Sequence, residues 1–170
     1  MMPISWRRRS LVPSVTVPRG EKVLAMTTAT DGAVLAGTRD AFYVVRDGET
    51  RRVPWEQVEA ANWDRDTDTF RLSEVGSWGE ERPVHTATLT DPGRLLELVR
   101  ERVTASIVLQ RHVAVTGRRG LRVIARRAPH GRDPVRWIYE YDEGVDPTDP
   151  AVRAAAEEAL AAAQLEVGTL

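Results

Sequence analysis

The sequence predicts an α+β fold, and three observations favour it. Short segments rich in Val, Leu, Thr and aromatic residues follow one another closely from Glu21 onward. Asp31-Gly32 and Asp47-Gly48 mark tight hairpin turns between such segments. A helical period then appears once in mid-chain and once near the C-terminus. Runs of strands joined by short turns favour antiparallel sheets over the parallel sheet of an α/β protein.

The first part of the chain is predicted to form about seven strands and one helix. The strands are expected at about 22–30, 33–38, 41–46, 50–53, 58–64, 69–74 and 82–89. The helix is expected at about 91–103, with Asp91 as N-cap and Pro92 as its first residue. Its apolar stripe comprises Leu95, Leu96, Val99 and Val103.

The second part is predicted to be a three-stranded meander followed by a helix. Strands are expected within 104–116, 121–128 and 135–141, and Gly117-Arg118-Arg119-Gly120 is the turn between the first two. Asp149 and Pro150 then start an Ala-rich helix that ends near residue 166. Its small-residue face, which can approach a sheet closely, comprises Val152, Ala155, Ala156, Ala159 and Ala163.

Composition excludes several classes of protein. The chain has 170 residues, of which 42% are hydrophobic and 29% charged, and this is the composition of an ordinary globular domain. It has no cysteine, so disulfides, zinc-thiolate sites and thiol nucleophiles are excluded. No apolar run approaches the ~18 residues of a membrane span. We therefore expect a cytoplasmic protein without a membrane span.

Several short stretches resemble bacterial pleckstrin-homology-like (PH-like) domains. They are Gly20-Glu21-Lys22-Val23-Leu24, Leu35-Ala36-Gly37-Thr38-Arg39, Val53-Pro54-Trp55-Glu56-Gln57-Val58 and Trp63-Asp64. The resemblance covers about 20–105 and implies an antiparallel barrel or sandwich of seven strands capped by a helix. Residues 1–19 would then be an irregular N-terminal arm, and 106–170 an appended β-β-β-α unit.

The resemblance implies a module that binds another protein, or itself, and is not an enzyme. Lipid-binding members resemble one another in a basic loop between the first two strands. Here that loop, Thr28-Ala29-Thr30-Asp31-Gly32, contains no cation. A phosphoinositide site is therefore not expected.

The net charge of −1 conceals two strongly charged segments. Residues 111–136 contain eight arginines and the single acid Asp133, whereas 137–170 contain eight acids and the single cation Arg153. In the antiparallel register that pairs Ile124 with Ile138, Arg122 lies opposite Glu140 and Arg126 lies opposite Arg136. Because like charges opposite one another on a sheet are unfavourable, the second pair requires an anion.

Two sources of that anion stay open at this point. The acidic C-terminal segment, through Glu143, Asp146, Glu157, Glu158 or Glu166, would neutralise the arginines internally. An anionic partner, either nucleic acid or an acidic protein surface, would do so from outside. The candidate partner-binding residues are Arg118, Arg119, Arg122, Arg126 and Arg136, together with Trp78 in a glycine-flanked loop.

Catalytic and metal-binding patterns are not found in the sequence. His85, His112 and His130 are isolated from one another, and there is no nucleophile elbow, Walker loop or dinucleotide fingerprint. Asp64, Asp66 and Asp68 have the spacing of calcium ligands, but Thr69 and Val75 occupy the positions that need Gly and Glu. We therefore predict no metal, no cofactor and no catalytic residues, and interpret the aspartates as turn formers.

Overall fold

The computed structural model describes residues 14–76 and 81–168 of the chain, and they form three antiparallel sheets and two α-helices. The first sheet contains β1 (Ala25–Thr28), β2 (Val34–Gly37), β3 (Ala41–Arg46) and β4 (Glu49–Pro54) in sequential order. A single 3-10 turn over Trp55–Gln57 leads into the second sheet of β5 (Val58–Asp64), β6 (Thr69–Glu74) and β7 (Val84–Thr88). The α+β class and the predicted number of strands are thus confirmed.

The second half follows directly. Helix α1 (Leu95–Ser106) runs into β8 (Ile107–Thr116), which pairs with β9 (Arg119–Arg126) and through it with β10 (Arg136–Tyr141). Helix α2 (Pro150–Val167) closes the described chain. In this third sheet the order is β10-β9-β8, so β10 is an edge strand.

The resemblance to PH-like domains implies a barrel or a sandwich, and among the described strands no sheet closes into a barrel. The first two sheets have separate edges and enclose a core between them without becoming one continuous ladder. Trp55, at the corner between the two sheets, is fully buried, and its Nε1 donates to the Thr38 carbonyl at 3.1 Å. Its ring lies 6.1 Å from that of Phe42, so the corner ring fills the core of an open two-sheet structure.

Helix α1 begins later than predicted. Asp91 does not cap it; the Asp91 carboxylate instead accepts a hydrogen bond from Gly93 N at 2.9 Å. Gly93 has φ of +51°, a conformation that interrupts a right-handed helix, so the regular turns start at Leu95. At its C-terminal end the helix extends to Ser106, into the segment where a strand was predicted.

Helix α2 is as predicted. Asp149 caps it by accepting from Ala151 N at 2.7 Å, and Pro150 is its first residue. The buried residues of the helix are Val152, Ala156, Ala159 and Ala163, and they form a core with Leu121 and Val123 of β9. The small-residue face therefore lies against the third sheet.

Candidate functional site

The predicted register of the third sheet is confirmed. Ile138 lies opposite Ile124, Glu140 opposite Arg122, and Arg136 opposite Arg126. The other face of β10 carries Trp137, Tyr139 and Tyr141, which pack against the core formed with α2. The alternation of the sequence thus placed every β10 side chain on the correct face.

Arg126 is not on the surface. Only 3% of the residue is exposed, and its Nη1 donates to the Val58 carbonyl at 2.5 Å while Nη2 donates to the Glu59 carbonyl at 3.1 Å. A third, longer contact of 3.3 Å joins Nη1 to Ser106 Oγ. Burial lowers the pKa of Arg126 from its usual value, and the nearby Glu140 and Glu59 oppose that effect. The anion that the Arg126–Arg136 pair was expected to need is thus replaced, at Arg126, by the carbonyl dipoles of β5.

The remaining predicted arginines are divided between the two ends of the third sheet. Arg118 and Arg119 are exposed at the β8–β9 turn, whereas Arg136 is exposed at the start of β10, opposite the far end of β9. A strand rises about 3.3 Å per residue, so the seven steps from Arg119 to Arg126 separate these ends by roughly 23 Å. Arg122, between them, approaches Glu140 at 3.4 Å. Trp78 lies outside the described residues.

Acidic residues of the C-terminal segment do contact this basic region. Arg111 pairs with Glu166 of α2, and His112 Nε2 lies 2.9 Å from Asp142 Oδ2. The hydrogen bonds from His112 and from Gly120 N lower the pKa of Asp142. Internal neutralisation, the first of the two sources considered above, therefore accounts for part of the basic segment.

The outer edge of β10 is the most unusual feature of the third sheet. Asp142 N donates to the Gly120 carbonyl at 2.9 Å, which makes Asp142 and Gly120 a hydrogen-bonded pair. Because such pairs alternate along an antiparallel ladder, Ile138 and Glu140 turn their backbone groups toward β9. Trp137 and Tyr139 consequently direct their N–H and C=O groups outward, and no hydrogen bond of the described chain reaches them.

A groove of about 940 Å³ follows this edge. One side is formed by α2 and the segment before it, through Val145, Pro147, Arg153, Ala156 and Glu157, and the other by Val75, Gly76 and Arg82. Trp137, Ile138 and Tyr139 form its floor. Burial, together with the nearby Tyr141 and Glu157, raises the pKa of Tyr139 above its usual value.

A second, smaller groove of about 380 Å³ repeats this arrangement. It lies between α1 and β5, the edge strand of the second sheet, and is lined by Ala61, Trp63, Phe70, Leu96 and Val103. Each half of the molecule thus has a helix beside an edge strand with a groove between them. The β5 edge differs in that the Val58 and Glu59 carbonyls are already occupied by Arg126.

The polar residues with little exposure elsewhere stabilise the packing of the strands through hydrogen bonds and ion pairs. Glu74 is 3% exposed and binds Arg51 and His85, and Glu21 accepts from Thr38, Tyr43 and Arg52 on the outer face of the first sheet. Asp64 accepts from Asp66 N and Thr67 N, as expected of a turn former. Within the described residues, no group of three His, Asp or Glu side chains has the geometry to hold a metal ion.

The β10 groove was missed at the sequence level, although a signal for it was present. Trp137, Tyr139 and Tyr141 alternate on the last strand of a meander, and such a strand is necessarily an edge unless another strand covers it. The groove itself depends on the spacing between α2 and β10, which has no local signal in the sequence.

Comparison of the chain with protein-family models, with curated proteins and with solved structures gives no match. Among the described helices, none combines the length and apolar character needed to cross a bilayer.

Proposed function

We propose that this chain is a non-enzymatic protein-interaction module that binds an extended segment of a protein partner along the β10 edge. The observation that carries the proposal is the outward pair of residues, Trp137 and Tyr139. Within residues 14–76 and 81–168 their main-chain donors and acceptors have no partner, and a groove of about 940 Å³ lies beside them. In strand addition, main-chain hydrogen bonds supply affinity and pockets for alternate side chains supply selectivity. The edge and the groove offer both.

The outward-directed residues of this edge differ in kind from those of β4, an edge strand of the first sheet. Edge strands are usually protected by charged side chains, and β4 follows this rule with Glu49, Arg51 and Arg52 exposed. On β10 the residues whose backbone amides point outward, Trp137 and Tyr139, are instead aromatic. Tyrosine and tryptophan are the residue types most enriched at sites of protein recognition.

The relation to bacterial PH-like domains is part of the same proposal. A four-stranded sheet, a three-stranded sheet and a helix occur in that order within 20–105, and this order supports it. The appended unit of 106–170 would then carry the partner-binding edge. A cytoplasmic location is proposed with it.

The experiment that tests the function is selection of extended peptides from an unbiased display library on the immobilised chain. Selected peptides are expected to shift the amide resonances of Trp137 and Tyr139, and to lose affinity about tenfold or more in a Tyr139→Pro variant. Proline removes the outward N–H together with the ring but no bond to β9, because the amide of residue 139 makes no ladder bond with that strand.

Tyr139→Thr is the matched control, since it removes the same ring but keeps the N–H. It is expected to retain the backbone share of the affinity that Tyr139→Pro loses. Peptides that bind equally well to the proline and threonine variants, or that leave the β10 amides unshifted, would contradict strand addition at this edge. A library that yields no binding peptide on a chain that is shown to be monomeric would contradict it as well.

A further inference from the structure

The sequence of β10 is complementary to itself, and the complementarity is centred on Ile138. Counting outward from Ile138, the nearest neighbours are the aromatic residues Trp137 and Tyr139, and the next are Arg136 and Glu140, of opposite charge. An antiparallel copy of the strand in this register therefore places aromatic opposite aromatic and cation opposite anion. Residues opposite one another in an antiparallel pair lie on the same face, so these pairs meet.

The alternation of inward- and outward-directed backbone groups along β10 allows this register. Ile138 turns its N–H and C=O groups toward β9, so Ile138 of each copy would form a non-hydrogen-bonded pair at the two-fold axis. Trp137 of one copy would exchange both backbone hydrogen bonds with Tyr139 of the other. The symmetry repeats this exchange, so that four main-chain bonds satisfy all the outward groups of these two residues.

The faces of the strand agree with the same arrangement. Arg136, Ile138 and Glu140 lie on one face, and Trp137 and Tyr139 lie on the face toward α2. Two copies related by a two-fold axis at Ile138 would join their third sheets into one of six strands, with both α2 helices on the same side. The aromatic side chains of each copy would then fill the groove of the other.

The charges available for the cross-copy pair are accessible. Arg136 is exposed and makes no ion pair within the described residues, and the partly exposed Glu140 makes a long ion pair of 3.4 Å with Arg122. An Arg136–Glu140 pair between copies would be formed twice by symmetry. It would also relieve Arg136, which faces the buried cation Arg126 across the sheet.

We propose that the occupant of the β10 edge is a second copy of this chain, paired antiparallel through β10 in the register centred on Ile138. This inference rests on the proposed function, because it names the partner for the same edge. It predicts a symmetric dimer in which both β10 edges are used and neither is left to recruit a third copy.

The test is a charge exchange read out by sedimentation equilibrium of the full chain over a wide concentration range. The wild-type protein is expected to show a reversible rise toward twice its monomer mass. Arg136→Glu alone places two glutamates opposite one another, Glu140→Arg alone places two arginines opposite one another, and each is expected to weaken dimerisation about tenfold or more. Arg132→Glu, an equal charge change in the exposed loop before β10, is the control and is expected to leave the dimer unchanged.

Mixing the two single variants is the decisive measurement. In the mixed dimer every pair is again of opposite charge, so the mixture is expected to associate within a few-fold of wild type while neither variant does so alone. Circular dichroism of each variant establishes that it is folded. A wild-type chain that stays monomeric, or variants whose mixture does not regain association, would overturn the inference.

The two proposals fail in different ways. A monomeric chain whose β10 amides still respond to selected peptides would remove the second copy as the occupant and leave strand addition in place. A dimer that is unaffected by either charge reversal would place self-association on another surface and overturn the β10 register.

Discussion

Arg51 and Glu74 form a two-point ion pair between the first and second sheets. Arg51 Nε lies 3.0 Å from Glu74 Oε1, and Arg51 Nη2 lies 2.5 Å from Oε2. The carboxylate is almost fully buried, whereas just over half of the Arg51 side chain is exposed. His85 Nε2, on β7, lies 2.7 Å from Oε1, so one carboxylate connects three strands.

This cluster predicts a loss of stability in acid. Burial alone would raise the pKa of Glu74, but hydrogen bonds from Arg51 and His85 outweigh burial and hold the pKa below its usual value of 4.5. A carboxylate whose pKa is lower in the folded state stabilises the fold above its unfolded pKa. The contribution of Glu74 is therefore expected to be complete at neutral pH and lost as the pH falls through its folded pKa.

The measurement is urea unfolding of the wild type and Glu74→Gln at a series of pH values. The variant is expected to unfold about 1–3 kcal/mol more easily at pH 7, because a charged hydrogen-bond acceptor in the interior is lost. The difference is expected to shrink below pH 4.5. A difference that stays constant from pH 7 to acid would contradict the role assigned to the Glu74 charge.

Arg126 predicts a test of the attachment between the third sheet and β5. Arg126→Met keeps an apolar stem of similar length but leaves the Val58 and Glu59 carbonyls without their donor. We expect the free energy of unfolding to fall by about 2 kcal/mol, the usual effect of losing hydrogen bonds to a charged group. The neighbouring Arg127, which is exposed, gives the control Arg127→Met. Equal effects of the two substitutions would show that the buried bonds contribute little.

Gly120 predicts a severe local effect. A Cβ atom at this position would lie 1.8 Å from the Val113 carbonyl oxygen and 2.8 Å from Ala114 Cα, both of them backbone atoms that a rotamer change cannot move. Gly120→Ala is expected to disrupt the β8–β9 ladder and to lower the thermal midpoint by several degrees or to prevent folding. Gly168→Ala, whose nearest neighbour would be 3.3 Å away, is expected to cost much less. A stable Gly120→Ala with the wild-type β8 amide spectrum would show that the two strands are not in contact here.

Electrostatic binding of nucleic acid is the competing function, and the position of the arginines predicts its outcome. Arg126 is buried, Arg122 approaches Glu140, and the other predicted arginines are divided, with Arg118 and Arg119 at one end of the sheet and Arg136 at the other. Titration with nonspecific duplex and single strands at low and moderate salt is therefore expected to show no salt-dependent affinity. Binding that weakens steeply with salt, and that Arg118→Glu with Arg119→Glu abolishes, would favour the nucleic-acid function instead.

Periodicity alone was sufficient for the order of elements and for the register of β9 with β10. Hairpin dipeptides fix where strands turn, and a hydrophobic alternation excludes registers shifted by one residue, because such a shift would move the buried side chains to the other face. The Ala-rich helix was also predictable from local sequence, because Asp149 and Pro150 are helix start signals. The late start of α1 could not be predicted, because an Asp at position 91 is typical both of an N-cap and of a turn. The choice between them depends on the positive φ of Gly93, which the sequence does not show.

The position of Arg126 shows why the candidate site was harder to predict. In the sequence, Arg126 is simply an arginine on one face of a predicted strand. Exposed arginines are far more common than buried ones, so exposure was the natural expectation. Its burial depends on the carbonyls of residues 58 and 59, which are nearly seventy positions away and carry no side-chain signal. The groove beside β10 is non-local in the same way.

The contact that Arg126 makes with β5 tolerates mutation on the β5 side but not on the β9 side. On the β5 side the guanidinium binds main-chain oxygens, which every amino acid at residue 59 would supply equally well. On the β9 side no other side chain provides the same pair of donors. Drift at Glu59 would therefore leave these two bonds intact, whereas a change in a single codon, that of Arg126, would remove both.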